Sequence, residues 1–332
     1  MHSVFTNNMA ATCGIQMGEL RSAASCCVER LHRGMYAVVK LCSRHPLFTQ
    51  LADQTMVDLF ARADAQKRNP AWRKAQTNLH TAKAELIAES AHPDDVLSHS
   101  TAALLHGLPV KAVPEAVEMI NPNLSRAGAT FRRRYRQIGE SEIDDWRGFA
   151  ITNPVRTAVD LAADESIEYG TAVLDAILRE APLQREQLLA QAHEIAEAYG
   201  RRAGCARVRS ALSFANGLAE SYGESVCMVK LRMLGIDNLE QQVEIFDEDG
   251  IFVARVDGLV RDKRIIIEFD GAVKYLSTAD GGFNGEGDQF LREKEREHQL
   301  HRLGYTVVRI MWNDLLGLDR LRARLKALGI LS

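Results

Sequence analysis

Nowhere in this chain of 332 residues do apolar residues run on for anything near the ~18 that a membrane-spanning helix needs, so a membrane protein is not expected. The opening stretch MHSVFTNNMAATCGIQMGEL has no basic region leading into an apolar core, so a secretory leader is not expected either. Cysteine is sparse: Cys13, Cys26, Cys27, Cys42, Cys205 and Cys227 make no C-x-x-C pair and no Cys/His spacing of the zinc-finger kind. That speaks against a metal finger and for a reducing, cytoplasmic setting. An excess of one charge is missing too, with 41 Lys and Arg against 44 Asp and Glu, a formal charge of -3 and a pI near 6.4. Any binding of a polyanion therefore has to come from local basic patches.

What is present is enough apolar material, 46% of residues, for two or three cores. ERLHRGMYAVV reads as a helix end, a turn at Gly34 and a strand. LFTQLADQTMVDLFARADAQKR repeats apolar residues at three-to-four spacing and stops before Asn69-Pro70, which predicts helix. DDVLSHSTAALLHGLPV predicts another, with His99 and His106 seven apart on one face; buried or capping roles are expected of both. ATFRRRYRQI packs Arg132, Arg133, Arg134 and Arg136 around Tyr135, the strongest basic cluster in the chain. Such a cluster suits phosphate contacts, and it equally suits a strand edge guarded by charge. ITNPVRTAVDLAA predicts a strand end and a helix begun by proline, and residues 165–219 are helical in pattern.

The last third changes character. SYGESVCMVKLRMLGI predicts a helix capped by Ser221; strands QQVEIFD, IFVARVDGLV and RIIIEFDG follow, then a glycine-rich loop, the helix QFLREKEREHQLHRLG, the strand YTVVRIMW and a final helix. The predicted order is α-β-β-β-α-β-α. A two-residue turn at Asp262-Lys263 makes facing residue numbers sum to 525, which sets Asp257 opposite Glu268 and Arg255 opposite Asp270. Alternation then sends Ala254, Val256, Val260, Ile265, Ile267 and Phe269 to a core face and the charged residues to the other. Facing carboxylates repel unless a cation lies between them, and an oxygen-only ligand pair suits Mg2+ or Mn2+ and phosphodiester chemistry. The plainer alternative is a solvated strand face with Asp270 paired to Arg255.

These elements resemble the PD-(D/E)XK nuclease superfamily. The words SYGES, VARVDG, IEFDG, VKY, REKERE and LGYTVVRI, spread over about residues 220–320, are similar to very-short-patch-repair (Vsr) endonuclease-like proteins. The resemblance implies an αβββαβ restriction-endonuclease-like core with catalytic positions at Glu224, Asp257, Glu268, Asp270, Lys274 and Lys294. Asp257 and Glu268 would be the ligands of Mg2+ or Mn2+. Asp270 stands where the superfamily has lysine, and Lys274 or Lys294 is the expected substitute. Gln242 matches a glutamine of the family's first strand, and Arg309, on a strand predicted to be buried, would hold a site carboxylate or a phosphate.

LHRGMYAV, LSHSTAALLHGLPV and ITNPVRTAVDLAA resemble AbiEi-type antitoxins and abortive-infection regulators, a family that begins with a DNA-binding winged helix. Here MGELRSAASCCVERLHRG leaves little room for three helices. The expected fold is α/β (α+β), divided into an N-terminal mixed, mainly helical module over 1–164, a helical connector over 165–219 and the nuclease-like domain over 220–332. The expected function is a Mg2+-dependent DNA endonuclease serving defence against foreign DNA, with DNA and a second copy of the chain as partners. Arg132, Arg133, Arg134, Arg136 and Arg309 would serve the nucleic acid. The alternative is a catalytically inactive, DNA-binding, antitoxin-like transcriptional regulator.

Overall fold

In the computed structural model, residues 3–65, 69–200, 203–271 and 286–331 are described, with backbone alone over 286–291. The chain forms two compact units, Met1–Thr157 and Ala158–Ser332. Both mix helix and strand, as the sequence predicts, and none of the described helices is long and apolar enough to cross a membrane.

The first unit opens with β1 (Val4–Thr6), α1 (Asn7–Thr12), α2 (Met17–Ala23), β2 (Val28–His32) and β3 (Met35–Val38). The strands form an antiparallel sheet ordered β1-β3-β2. The helices are short, and both start on a side-chain device. Thr6 Oγ1 accepts the Met9 N–H at 3.3 Å, and Glu19 reaches back from α2 to the Gln16 N–H at 3.1 Å. The sequence reading of ERLH as a helix end is corrected to strand β2, paired with β3 across the Gly34 turn, and β1 and α1 were missed because a six-residue helix is too short for an apolar period to show. Phe5, Leu20, Val28, Tyr36 and Phe48 close this module's core.

Next come α3 (Gln54–Arg62) and α4 (Pro70–Ala88), each started by an Asx cap, Asp53 on the Met56 N–H and Asn69 on the Trp72 N–H. β4 (Val96–Leu97), α5 (His99–Leu105), β5 (Val117–Asn121), β6 (Arg126–Ala127), β7 (Phe131–Tyr135), β8 (Ile143–Trp146) and β9 (Phe149–Thr152) then build a sheet ordered β6-β7-β5-β4-β9-β8. β5 pairs with β7, and β4 with β9, in parallel. α6 (Pro154–Asp164) starts in this unit.

The second unit holds α7 (Ile167–Glu180), α8 (Arg185–Tyr199) and α9 (Cys205–Phe214), then α10 (Tyr222–Met233), β10 (Leu239–Phe246), β11 (Phe252–Val260), β12 (Ile265–Asp270), α11 (Glu286–Arg302), β13 (Thr306–Met311) and α12 (Leu318–Ala327). From α10 to α12 this is the predicted α-β-β-β-α-β-α order. The sheet runs β10-β11-β12-β13, antiparallel up to β12 and parallel between β12 and β13. The helices of 165–219 pack onto this sheet's own first helix. Asp175 of α7, buried, accepts from Ser225 Oγ at 2.6 Å and from the backbone N–H groups of Asn216 and Gly217 at 2.8 and 2.9 Å. Lys230 of α10 meets Glu168 of α7 at 2.9 Å.

Gly258↔Ile267, Leu259↔Ile266 and Val260↔Ile265 all sum to 525, the predicted register, but the ladder ends there and does not include the predicted pairs Asp257–Glu268 and Arg255–Asp270. The loop is longer than predicted, a 3-10 turn over Arg261–Lys263 closed by Arg264 in the left-handed region (φ 51°), and it keeps the register because 261 and 264 also sum to 525. The predicted faces need correcting. Val260, Ile265, Ile267 and Phe269 do share one core, but Ala254 and Val256 pack with Leu259, Ile266 and Leu300 in another. Alternation breaks near Asp257, where the β10–β11 ladder runs Gln241↔Gly258 and Val243↔Val256 and Gln242 between them has φ 53°. A left-handed residue in a strand interrupts the pleat as a bulge does and re-aims its neighbours.

Two acids are buried in the six-stranded sheet of the first unit, and arginine answers each. Asp95 (side chain 1% exposed) takes a guanidinium fork from Arg133, with the Nε bond at 2.6 Å, plus the Asn121 amide at 2.8 Å and the His92 N–H at 2.9 Å. Glu118 takes Arg134 at 2.9 Å and the Ser100 N–H at 3.0 Å. Burial pushes the Asp95 pKa up, but the Arg133 and Asn121 bonds outweigh it and hold the carboxyl below its ordinary value. Its stabilisation is therefore full above the unfolded pKa and is lost as pH falls through the folded one. We expect Arg133→Ala to cost roughly 3–5 kcal/mol in urea unfolding at neutral pH, because it strands a buried charge, and the loss should shrink in acid. Arg132→Ala, more than half exposed, should cost little.

Candidate functional site

Of the positions expected to be catalytic, Glu224, Asp257 and Glu268 come together where α10 starts beside β11 and β12. Gly223, the second residue of α10, has no room for a side chain, since a Cβ there would overlap the Phe269 ring. Glycine is thus what lets the helix start lie against β12. Phe269 also meets Trp312 edge-on at 4.9 Å, and Trp312 stacks with Tyr222 at 6.0 Å, so Trp312 is packed among rings.

The backbone N–H of Phe269 donates to Asp257 Oδ2 at 2.9 Å. No guanidinium or ammonium is within salt-bridge reach of Asp257 among the described residues. Burial pushes its carboxyl up from 3.8 to about 6; the Phe269 bond opposes this, and the charges of Glu224 and Glu268 add to it. Glu224 is occupied locally: its carboxylate accepts from the Glu220 N–H and from Ser221 Oγ, both at 2.8 Å, while Ser221 Oγ caps the Glu224 N–H at 3.2 Å. Gln242, at the break in β10, donates to the same carboxylate at 3.3 Å. Glu224 is thus a capping residue whose negative charge faces Asp257.

Glu268 has the opposite environment. Arg296 of α11 grips it with two parallel bonds, Nη1 to Oε1 at 2.9 Å and Nη2 to Oε2 at 3.2 Å. Arg309, its register partner on β13, brings Nε to 3.8 Å and places Nη2 at 2.9 Å from both Glu293 and Glu297. Burial disfavours the Arg296 charge, yet its bonds to Glu293 and Glu268 outweigh that and raise its pKa. Arg309 thus bonds Glu293 and Glu297 of α11 and stands close to Glu268 without a hydrogen bond to it. Arg255 pairs with Glu220 and not with Asp270, its predicted partner. Asp270 lies beside Met311 in the β12–β13 ladder, Lys294 is exposed on α11, and Lys274 falls outside the described residues.

These contacts bear on whether Mg2+ or Mn2+ fits. Asp257 suits a cation, being half-buried, acidic and beside two more acids. Glu268 does not offer itself, because the Arg296 fork takes both its oxygens and a metal would have to displace it. As arranged, Glu268 serves Arg296, and the pair does not fit a shared metal while that fork is in place.

Of the basic cluster, Arg133 and Arg134 are spent on the buried acids Asp95 and Glu118. Arg136 donates to the Tyr135 carbonyl at 2.9 Å. Arg132 and Tyr135 are exposed on β7, as is Arg126 on the edge strand β6. His99 is buried against Ser98 at 2.9 Å and His106 bonds the Thr152 carbonyl at 2.8 Å, so the two do not form a catalytic pair.

Residues 96–212 match the AbiEi antitoxin C-terminal domain family. The match covers the six-stranded sheet and the helices that follow, and it ends before Glu224. Two uncharacterized proteins of Mycobacterium tuberculosis, one from strain CDC 1551 / Oshkosh and one from strain ATCC 25618 / H37Rv, are each 29% identical over 215 residues. The alignment takes in 65% of this chain and 73% of theirs. No solved structure matches the chain.

Two features escaped the sequence reading. One is the β-α-α-β-β order of the first module, with Arg21 exposed on α2 and Arg30 and Arg33 on the β2–β3 hairpin. The other is a contact among Cys26, Cys27, Cys42 and His45. Cys42-Ser43-Arg44-His45 is itself a C-x-x-H spacing, a signal that a search for paired cysteines passes over.

The raised Asp257 pKa carries a sign opposite to that of Asp95. Between pH 3.8 and about 6 the folded chain holds a proton that the unfolded chain releases, so stability is lost as pH rises through this window. Asp257→Asn keeps an acceptor for Phe269 and removes the titration. Compared with the native chain, it should be more stable by on the order of 1–2 kcal/mol above the window and about equal below it. A gap that does not change with pH in chemical unfolding would show that the Asp257 carboxyl is not raised by its surroundings.

Proposed function

We propose that this protein is a DNA-binding regulator of the antitoxin-like class, with its C-terminal sheet serving as a non-catalytic scaffold. The observation that carries the reading is the order of the first module. Two short helices joined by a four-residue turn and followed by a two-stranded hairpin are the chain order of a helix-turn-helix with a wing. That module precedes the segment that matches the AbiEi antitoxin C-terminal domain. In this reading α2 enters the major groove, with Met17, Glu19, Arg21 and Ser22 exposed, and Arg30 and Arg33 on the hairpin meet phosphates. Arg132 and Arg126 add phosphate contacts from the sheet edge. The locked Glu268 and the acid at 270 support a scaffold role for the nuclease-like sheet.

A second reading, a metal-dependent endonuclease, is favoured by Asp257 alone, a half-buried acid beside two others with no cationic partner within salt-bridge reach among the described residues. Both readings place the protein with DNA in the cytoplasm.

Binding to duplex DNA followed by fluorescence anisotropy over a salt series tests the proposal. Arg21→Ala and Arg33→Ala should each weaken binding by roughly tenfold and reduce the slope of log K against log salt by about 1. Incubating plasmid with Mg2+ or Mn2+ should leave it intact. Cleavage that disappears in Asp257→Ala would reject the regulator in favour of the enzyme, and a chain that does not bind duplex DNA would sink both readings.

A further inference from the structure

The contact among Cys26, Cys27, Cys42 and His45 belongs to neither reading, and it is the one group of three or more His, Cys, Asp or Glu side chains among the described residues whose ligand atoms all lie within 4.8 Å of one another. Cys26 and Cys27 sit in the turn between α2 and β2, and Cys42 and His45 in the loop after β3. Cys26 Sγ lies 3.4 Å from Cys42 Sγ, and His45 Nδ1 lies 3.6 Å from Cys27 Sγ and 3.7 Å from Cys42 Sγ. We propose that these four side chains form a structural Zn2+ site of the Cys3His type, which ties the end of α2 to the loop leaving the hairpin.

The two sulfur–nitrogen separations match a tetrahedral zinc, the Cys26–Cys42 separation is a little shorter than one needs, and all four atoms lie within 4.8 Å of one another. With Zn–S near 2.3 Å and Zn–N near 2.0–2.1 Å, the edges of the tetrahedron come to about 3.8 Å between sulfurs and about 3.5 Å between sulfur and nitrogen. All six cysteines are free, so no bridge accounts for the approach of Cys26 to Cys42. Three thiolate sulfurs and an imidazole form a soft, four-coordinate set, which selects zinc over Mg2+ and closes the site to substrate.

The surroundings are those of a ligand shell. The far nitrogen of His45, Nε2, lies 3.0 Å from Ser22 Oγ on α2, which fixes the ring with Nδ1 toward the sulfurs, as the second nitrogen of a metal-bound histidine is generally fixed. Arg44 Nη2 donates to Cys26 Sγ at 3.4 Å. Three thiolates around Zn2+ leave one net negative charge, and the Arg44 guanidinium offsets it. Cys27 is buried among the residues that close this module, with Phe5, Leu20 and Phe48 in the same cluster.

A small module with few apolar side chains gains from such a tie. Its two helices are six and seven residues long, and zinc would bind the last turn of the second to the hairpin without calling on a larger core. The inference stands whether or not the module binds DNA, because it rests on the ligand geometry alone.

The test uses the full chain. Purified under reductant without chelator, it should carry one zinc per chain by elemental analysis. After stripping and titration with Co2+, it should show the visible d–d bands of a tetrahedral site and a thiolate charge-transfer band, saturating at one equivalent. Cys13→Ser, outside the cluster, should leave both unchanged. Ser22→Ala keeps all four ligands and should weaken zinc by roughly 10–100-fold; His45→Ala should weaken it more, and Cys42→Ser should remove a third of the thiolate band. Circular dichroism confirms that each variant is folded. A chain that holds no zinc and gives no tetrahedral cobalt spectrum overturns the proposal. So does a metal-free chain in which peptide mapping finds Cys26 joined to Cys42, which would make the cluster a redox pair. A cobalt spectrum that His45→Ala and Cys42→Ser leave intact would place the metal elsewhere and reject this site.

Discussion

A carboxylate taken out of water has to be answered by a cation or by a proton, and that requirement organises both units of this protein. In the first unit Asp95 and Glu118 lie under the six-stranded sheet, and the arginines of β7 are bound to them. Each pair costs desolvation to form, so neither is strong evidence of stability, but removing one partner leaves a charge with nowhere to go. The sheet edge is thereby held to strand β5 and to the loop before β4 by directional forks as well as by apolar packing. In the second unit Glu268 is answered by Arg296, while Asp257 accepts the Phe269 N–H and takes up a proton only below about pH 6.

That contrast separates two acids that the sequence presents as equals. Opposite positions on adjacent strands suggest a shared ion. The structure gives one of them a guanidinium fork and the other a backbone N–H, so their charges are satisfied by different means. The cause lies at a distance in sequence, on the helix α11 that carries Glu293, Arg296 and Glu297 over the sheet.

Much of the second unit was legible because its information is local. Strand register followed from the centre of one loop, although that loop is longer than predicted, and Ser221 with Glu224 announced a helix start. The facing of Ala254 and Val256 was not legible, since it depends on the left-handed backbone of Gln242 on a neighbouring strand. The arginines of FRRRYR could be found, but which of them remained exposed depended on Asp95 and Glu118, acids some way off in the chain. The Cys/His cluster was hidden because its halves are separated by the whole β2–β3 hairpin, and a vicinal cysteine pair does not fit the spacings a finger search uses.

The missing side chain at Gly223 links these parts mechanically. The Phe269 ring fills the space a Cβ would take, and the same residue's amide holds Asp257. Helix start, aromatic ring and acid form a short lever with one hard stop. Displacing α10 along β12 would move the ring, turn the peptide and change the setting of the carboxyl, so the acid's environment is geared to the seating of a helix.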